Sequence, residues 1–277
     1  MSINTCLLTS FIRNNDVVSC CDFIPEKLNA GVVIYEVVRV INGIPLFYNE
    51  HVNRYYSSVN GAGFVTSLSK KSLKLRIKAL IQINGLVDGN IKFQCGFFPN
   101  HKEIFSAWVC PFSYPSNNTY HSGIIVKTLD LQRTNPSIKS YSDDYNSKVK
   151  FALTKDNIYE VLLVNNDGYI TEGSKSNIFF VDKNIVYTPK VNSVLPGVTR
   201  QKIIDATYNI GVVCKETVIP VNLISEYQGA FITGTSPKVL PVAKINSISF
   251  NPKHNTILKL MAEYDKSIER DISLFAW

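Results

Sequence analysis

The chain has 277 residues, of which 45% are hydrophobic and 18% charged, and its net charge is +7. This composition excludes a disordered chain, a collagen-like repeat and a coiled coil, and the length fits one large or two modest domains. No stretch reaches the ~18 consecutive apolar residues of a membrane-spanning helix, and the N-terminus lacks a signal-peptide pattern, so we expect a soluble, cytoplasmic protein.

The first half predicts an α+β arrangement. Strands at Ile34–Ile41 and Ile44–Tyr48 flank an Asn-Gly pair, which tolerates the positive φ of a type I′ turn and so predicts a hairpin. The same patterns predict helices over Glu50–Gly61 and 70–83, the second capped by Ser67 or Ser69, and strands around Ile91–Phe98 and Ile104–Phe112.

The second half begins after a turn-rich segment that is poor in aliphatic residues. We therefore predict domains at 1–115 and 123–277, joined by a linker at 116–122. The second half predicts strands at 160–164, 169–172, 177–181, 185–188, 213–219 and 229–233, and helices from Pro196-Gly197 through Thr207 and over 254–270. The predicted fold class is α/β (α+β).

The cysteines and the basic residues are both dispersed. The six cysteines include no CxxC pair and no histidine at metal-binding spacing, so we expect free thiols in a reducing compartment and no metal site. The densest basic run, Lys70–Lys78, alternates with leucine and isoleucine, which predicts an amphipathic helix rather than a nucleic-acid patch. A modest positive field favours anionic small molecules as partners, and a nucleic-acid-binding module is the alternative.

Two loops have the composition of anion-binding sites. Leu195–Arg200 places Gly-Val-Thr at a helix start, where the first amide N–H groups lack partners and the helix dipole favours an anion. Thr233–Ser236 follows a strand and combines a glycine with hydroxyl groups. Each loop could equally be an ordinary turn without a bound anion. In the same way, Arg54 considered alone could be a surface arginine, and Glu172 considered alone could be a solvated carboxylate at the end of a strand.

Taken together, several motifs resemble one family. They are YEVVRV from Tyr35, NEHVNRY from Asn49, Ile138-Lys139, YEVLLVNNDGYITEG from Tyr159, SNIFF from Ser176, Tyr187-Thr-Pro189, LPGVTR from Leu195, Thr233-Gly-Thr235 and Leu240-Pro-Val242. In this order and spacing the chain resembles the class IV (fold-type IV) pyridoxal-phosphate enzymes. That group includes branched-chain aminotransferases, D-amino-acid aminotransferases and aminodeoxychorismate lyase.

The resemblance implies a role for one lysine and one carboxylate. Lys139, which lies 33 residues before Glu172, would form the Schiff base with pyridoxal 5'-phosphate and move a proton between substrate and cofactor. Lys148 and Lys150 are competing candidates outside the motif. Glu172 would stabilise the protonated pyridine nitrogen by a charge-assisted hydrogen bond.

The resemblance also implies the remaining site residues. The phosphate ligands would be the Arg54 side chain, the amides of Val198 and Thr199 and the Thr235 hydroxyl, and the substrate side would include Tyr35 and Ser236. The family's tyrosine for the cofactor's phenolic oxygen falls on Asp144 here, so Tyr145 would take that role after a one-residue shift.

The chain departs from the family where the substrate carboxylate is held. Loops of D-amino-acid aminotransferases and aminodeoxychorismate lyases contain arginine, whereas Cys95–Glu103 contains none. His101 or Lys102 could substitute, or could be plain loop residues, and Phe97 and Phe98 favour a hydrophobic substrate side chain.

The fold implied by the resemblance has a smaller α/β N-terminal domain and a C-terminal pseudo-barrel domain, with the cofactor between them, in a homodimer. The implied function is transfer of an amino group between an amino acid and a 2-oxo acid. Aminodeoxychorismate lyase, which releases 4-aminobenzoate and pyruvate, is the alternative activity, and a degenerate, non-catalytic member of the fold is the alternative of another class.

Overall fold

The computed structural model describes residues 5–25, 31–99, 102–156 and 158–277. The chain divides into two compact units. The N-terminal unit consists of Met1–Ser113, Ile138–Tyr141 and Ile268–Trp277, and the C-terminal unit consists of Tyr114–Ser137 and Ser142–Ser267. Two short segments that the sequence placed in the second domain therefore belong to the N-terminal unit.

The N-terminal unit contains a six-stranded antiparallel sheet in the order β2-β1-β6-β5-β3-β4. Its strands are β1 Leu7–Arg13, β2 Asp16–Ser19, β3 Val32–Ile41, β4 Ile44–Pro45, β5 Gly89–Phe97 and β6 Glu103–Cys110. The predicted Asn-Gly hairpin is confirmed, since Asn42 and Gly43 both have positive φ between β3 and β4. The second hairpin strand is shorter than predicted because a helix begins at Tyr48.

Two helices cover one face of this sheet. Helix α1 spans Tyr48–Gly61 and helix α2 spans Lys70–Ile83, where the Ser69 hydroxyl accepts a hydrogen bond from the Ser72 amide. Both helices match the predicted ranges closely. Their apolar sides join Ile34, Val38, Ile91 and Phe93 of the sheet in a continuous core.

A disulfide joins Cys6 and Cys20, so the expectation of free thiols is wrong for these two residues. The two Cα atoms, one just before β1 and the other just after β2, are 5.8 Å apart, a distance that a disulfide can span. The other four cysteines are free thiols.

The C-terminal unit contains a ten-stranded mixed sheet in the order β12-β11-β10-β14-β15-β7-β8-β9-β13, with β16 paired to β15. Its strands are β7 Ile124–Asp130, β8 Glu160–Val164, β9 Tyr169–Gly173, β10 Asn177–Asp182, β11 Ile185–Pro189, β12 Val213–Thr217, β13 Ile219–Pro220, β14 Gly229–Gly234, β15 Lys238–Ile245 and β16 Ile248–Ser249. The sheet folds back on itself, because β9 near one end of this order also lies against β10 and β11 near the other end.

Among the described residues, four helices accompany the second sheet: α3 Asn117–Ser122, α4 Asp143–Asp156, α5 Val198–Asn209 and α6 Asn255–Leu274. Helix α3 occupies most of the predicted linker at 116–122, because the Ser116 hydroxyl caps it by accepting from the Thr119 amide. The last turns of α6 belong to the N-terminal unit, where the Asp271 carboxylate accepts a 2.6 Å hydrogen bond from the Phe47 amide at the start of α1. None of the described helices has the length and apolarity needed to cross a lipid bilayer.

Candidate active site

Lys139 is fixed to the N-terminal sheet by its backbone. Its carbonyl accepts a 3.1 Å hydrogen bond from the Tyr35 amide, and its own amide donates to the Ser58 hydroxyl at 3.2 Å. Two residues further on, the Tyr141 amide donates to the Val33 carbonyl at 2.9 Å. The segment therefore adds to the edge of β3, and the Lys139 Nζ lies 5.0 Å from the centre of the Tyr35 ring.

Arg54 lies on α1 as one half of a buried ion pair with Glu36 of β3. Its Nε donates to Glu36 Oε1 at 2.7 Å and its terminal nitrogen donates to Oε2 at 2.6 Å, a bidentate arrangement. His51, one turn earlier on the helix, places its Nδ1 2.9 Å from the same Oε2. The predicted phosphate ligand is therefore held in a defined orientation before any anion binds.

The pKa values in this cluster follow from burial and from the charges in contact. Burial alone would raise the pKa of Glu36, but the Arg54 charge and the hydrogen bonds from Arg54 and His51 outweigh it and lower that pKa to about 2. Burial lowers the pKa of His51, and the nearby Lys139 charge acts in the same direction. His51 is therefore neutral at pH 7 while Glu36 and Arg54 are charged.

Glu172 ends strand β9 in the C-terminal unit and is 3% exposed. Its Oε1 lies 3.2 Å from the Nε of Arg133, and its Oε2 accepts a 3.1 Å hydrogen bond from the Leu195 amide. A cation and an amide donor both favour the ionised carboxylate. Arg133 is a partner of Glu172 that the sequence did not single out, because no recognised motif contains it.

Tyr145 lies on α4 beside the same arginine. Its hydroxyl donates to the Ser174 carbonyl at 2.9 Å and accepts from an Arg133 terminal nitrogen at 3.4 Å, and the guanidinium lies 4.7 Å from the ring centre. Burial raises the pKa of Tyr145 well above its ordinary value, so the phenol keeps its proton. The hydroxyl proton is donated to the Ser174 carbonyl. To donate to a cofactor oxygen instead, the Tyr145 hydroxyl would have to rotate away from that carbonyl.

A second buried carboxylate shapes the loop that follows Glu172. Glu160 accepts hydrogen bonds from the amide and hydroxyl of Ser174 at 3.1 and 2.5 Å, from the Lys175 amide at 3.2 Å and from the Ser176 hydroxyl at 3.0 Å. Every one of these donors lies within four residues of Glu172. Glu160 therefore fixes the path of the chain between β9 and β10.

The start of α5 has the geometry of an anion-binding helix terminus. Its N-cap is Gly197, which supplies no side-chain hydrogen bond, so the first-turn amides of Val198 and Thr199 are not capped by that residue. A Cβ at Gly197 would collide with Asn177 Oδ1, and the side-chain nitrogen of Asn177 donates to the Leu195 carbonyl at 2.9 Å. Close packing at this point thus requires glycine.

The second predicted anion loop, Thr233–Ser236, lies where the end of β14 pairs with the start of β10. Asn177 of β10 pairs with Thr233 of β14, and Thr235 and Ser236 follow directly after that strand. Through Asn177 and Leu195 this strand end is joined to Glu172. The C-terminal unit therefore brings the buried carboxylate, the helix start and the hydroxyl loop together.

The alternative lysines have a different environment. Lys148 forms an exposed pair with Asp144, four residues earlier on α4, and Lys150 is exposed. Lys102 is also exposed, and His101 lies outside the described residues. Of these candidates, Lys139 is the one seated against a neighbouring aromatic ring of the sheet.

Comparison with known proteins identifies the family. The amino-transferase class IV family matches residues 33–245, which include all of the site residues described above. The chain belongs to this family. It is 29% identical over 226 residues to the D-alanine aminotransferase of Bacillus licheniformis, a match covering 78% of this chain and 80% of the relative. It is 25% identical over 251 residues to a putative branched-chain-amino-acid aminotransferase of Methanocaldococcus jannaschii, covering 86% and 87%.

Solved structures confirm the fold. A T.th. branched-chain amino acid aminotransferase with pyridoxamine 5'-phosphate superposes with a TM-score of 0.85 and 20% identity, covering 96% of both chains. A putative 4-amino-4-deoxychorismate lyase from Legionella pneumophila superposes with a TM-score of 0.76 and 21% identity, covering 86% of this chain and 91% of the other. The chain therefore has the two-domain α/β architecture of fold-type IV enzymes.

The chain is a class IV aminotransferase, and enzymes of this class use pyridoxal phosphate. The described residues fit that group. The N-terminal unit offers an amine beside an aromatic ring, and the C-terminal unit offers a buried carboxylate paired with Arg133 and a helix start with glycine at its N-cap. An amine can attack an aldehyde, a carboxylate can accept the hydrogen bond of a protonated pyridine nitrogen, and helix-start amides can donate to a phosphate.

Proposed function

We propose that Lys139 is the lysine that binds pyridoxal phosphate covalently and transfers the proton during exchange of an amino group between an amino acid and a 2-oxo acid. The observation that supports this choice most strongly is the pairing of Lys139 with Tyr35, which holds the amine against the sheet. When bound, pyridoxal phosphate supplies an aldehyde and an electron-withdrawing ring. The protein must supply the amine, the orientation and the exclusion of water.

Each further site residue has a proposed part in binding. Glu172, which lies against Arg133, would accept a hydrogen bond from a protonated pyridine nitrogen. Arg54, the Val198 and Thr199 amides and the Thr235 hydroxyl hold the phosphate, Tyr145 is the candidate donor to the phenolic oxygen, and Tyr35 and Ser236 face the substrate. Since the charge of Arg54 is balanced by Glu36, we propose that Arg54 orients the phosphate through hydrogen bonds more than it attracts it by net charge.

The identity of the lysine is tested by trapping. Purified protein is mixed with pyridoxal phosphate, reduced with borohydride, digested and mapped by mass spectrometry, in wild type and in Lys139→Ala. We expect the reduced adduct on the Lys139 peptide alone and its loss in the variant. Lys148→Ala is the matched control, because it removes an exposed lysine of α4 that was a competing candidate, and it should leave the adduct intact. An adduct that persists in Lys139→Ala would contradict the proposal.

The substrate is tested with the donors that the relatives' names provide. Alanine of both hands and the branched-chain amino acids are supplied with 2-oxoglutarate or pyruvate as acceptor, and the new amino acid is measured. We expect transfer that needs both a donor and an acceptor. Pyruvate released from aminodeoxychorismate without any acceptor would instead establish the lyase activity, and no turnover with any substrate would favour a degenerate member.

We further propose that the protein is a cytoplasmic homodimer. The support is the family membership, since the resemblance implies a partner subunit that completes the substrate pocket. Sedimentation equilibrium at micromolar concentration tests the dimer, with twice the chain mass expected. A monomer that retains full aminotransferase activity would overturn it.

A further inference from the structure

A second lysine is enclosed in the N-terminal unit. Lys92 of β5 is 0% exposed and lies opposite Trp108 of β6 and Val37 of β3 in the sheet register. Its neighbours on the same face of the strand, Asn90 and Gln94, are also buried and polar. Removing an ammonium from water so completely is costly, so this position needs a compensating interaction.

Three aromatic rings surround the Lys92 ammonium. Its Nζ lies 4.7 Å from the ring centre of Tyr35, 4.9 Å from that of Trp108 and 5.4 Å from that of Tyr141. All three distances are within the range of cation–π attraction, and such contacts are strongest where water is excluded. We call Lys92 and these three rings the lysine cage.

The lysine cage is built on the segment that carries Lys139. The Tyr35 amide donates to the Lys139 carbonyl, and Tyr141 is two residues beyond Lys139 in the same segment, which bridges to β3 at Ser140. The Lys139 Nζ also lies 5.0 Å from the Tyr35 ring centre. The two lysine nitrogens therefore share one ring and are no more than about 10 Å apart.

Two amines this close influence each other's protonation. A positive charge beside an amine favours its neutral form, which is the form that attacks a carbonyl carbon. Among the described residues, the titratable or charged groups on this face include Tyr35 and Arg39 from β3, Cys110 from β6, and Lys139 and Tyr141 from the added segment. Arg13 of β1 and Asp16 of β2 lie farther across the same face of the sheet. Burial raises the pKa of the Cys110 thiol to about 12, so it stays neutral, and burial lowers the pKa of Lys92 to about 7.

We propose that Lys92 is a positioning residue for Lys139: its ammonium holds the Tyr35 and Tyr141 rings beside the Lys139 segment, and while it is charged it raises the fraction of the Lys139 amine that is neutral and nucleophilic. This role rests on the proposed function of Lys139. The proposed role also explains why a lysine, Lys92, is buried on the sheet face that carries Tyr35. Lys92 acts through its neighbours and is fully enclosed, so it does not touch the substrate.

The test uses the protein without cofactor. Wild type, Lys92→Met and Lys92→Arg are treated with N-hydroxysuccinimidyl acetate between pH 6 and pH 9, and acetylation of the Lys139 peptide is followed by mass spectrometry. The exposed Lys71 serves as the internal standard in each digest. Lys92→Met removes the charge with a similar length, whereas Lys92→Arg keeps the charge at every pH.

The expected pattern differs at the two ends of the pH range. At pH 6, where Lys92 is charged, Lys92→Met slows acetylation of Lys139 by about three- to tenfold, and Lys92→Arg leaves it near wild type. At pH 9, where Lys92 is neutral, Lys92→Met equals wild type and Lys92→Arg exceeds it. A purely structural lysine would give the same Lys139 rate, relative to Lys71, in all three proteins at both pH values, and that result would overturn the proposal.

Tryptophan fluorescence gives an independent reading of the lysine cage. The chain has two tryptophans, so Trp277→Phe leaves Trp108 as the reporter. We expect an inflection near pH 7 that disappears in Lys92→Arg, and its persistence there would contradict the assignment even if Lys92→Met fails to fold. Neither reading needs pyridoxal phosphate. A missing borohydride adduct would therefore count against the proposed function and not against the lysine cage.

Discussion

Glu36 shows how a buried carboxylate links stability to the predicted phosphate ligand. It is 0% exposed and holds both Arg54 and His51. The motif that contains it was recognised in the sequence, but only the structure shows that its partner is Arg54. A carboxylate whose folded pKa is depressed contributes stability above its unfolded pKa and loses it as the pH falls toward the folded value.

The resulting pH dependence can be measured. Since the pKa of Glu36 is about 2 instead of 4.5, its ionisation contributes about 3 kcal/mol at pH 7, of which about 2 kcal/mol is lost by pH 3. We expect the urea unfolding free energy of Glu36→Gln to fall less steeply between pH 5 and pH 3 than that of wild type. Asp265→Asn, which removes an exposed carboxylate paired with Lys238, should keep the wild-type slope. Equal slopes in wild type and Glu36→Gln would show that this pair carries no acid sensitivity.

Glu172 is expected to act on turnover more than on folding. A charge-assisted hydrogen bond is worth about 1.5–3 kcal/mol, so Glu172→Gln should lower kcat/KM by roughly 10- to 100-fold. Steady-state kinetics at saturating pyridoxal phosphate measure this loss. Glu263→Gln, in a surface pair with Lys266, is the control that should leave kcat/KM unchanged. Unaltered kinetics in Glu172→Gln would remove Glu172 from the site.

For single residues, the sequence motifs identified candidate site residues but did not reveal which other side chains contact them. Arg133 and Lys92 lie outside every recognised motif, and their importance comes from burial and from contacts with residues distant in the chain. Neither property can be read from residue type alone. The same reason explains why Tyr145 was predicted without its bond to Ser174.

The N-cap of helix α5 is Gly197, and the packing around it leaves little room for a larger residue. Gly197 has a φ of −64°, which any residue can adopt, so the preference for glycine is steric: a Cβ would collide with Asn177 Oδ1. We expect Gly197→Ala to displace Asn177, to destabilise the protein by about 2 kcal/mol and to weaken pyridoxal phosphate binding by about tenfold. Urea unfolding and fluorescence titration with pyridoxal phosphate measure the two effects.

The matched control is Gly61→Ala at the end of α1. There the nearest atom to an added Cβ is Ile138 Cγ1 at 3.5 Å, an ordinary contact, and alanine favours the helix. Gly61→Ala should therefore leave stability unchanged or raise it slightly. Equal losses in both variants would indicate a general effect of replacing glycine and not a steric conflict at α5.

The success of element prediction followed the strength of each local signal. Helices α1 and α2 and the Asn-Gly hairpin have clear periodicity, capping and turn chemistry, and all were confirmed. Strand β15 was not predicted because it contains Pro241, which usually argues against a central strand. Helix α4 buries only Val149 among the residues of its span, so its apolar periodicity is weak.

At the scale of the whole molecule, the sequence predicted two successive domains where the chain has two interleaved units. Ile138–Tyr141 and Ile268–Trp277 return to the N-terminal unit through specific contacts, namely the bridge from Ser140 to Ile34 and the bond from Phe47 to Asp271. These pairings join residues more than one hundred positions apart. Local composition cannot reveal them, although it did reveal the change of character between the two halves.

The net charge of the whole chain predicts how the cofactor is captured. A surplus of seven positive charges should attract an anion over distances longer than any single contact, and salt screens this attraction beyond about 8 Å at physiological ionic strength. We expect the association rate of the cofactor-free protein with pyridoxal phosphate, measured by stopped-flow absorbance, to fall about threefold between 20 and 300 mM NaCl. Pyridoxal, which has the same aldehyde and ring but no phosphate, is the matched control and should show little change. If both compounds slowed equally with salt, the effect would lie in the reaction at the lysine and not in long-range attraction of the phosphate.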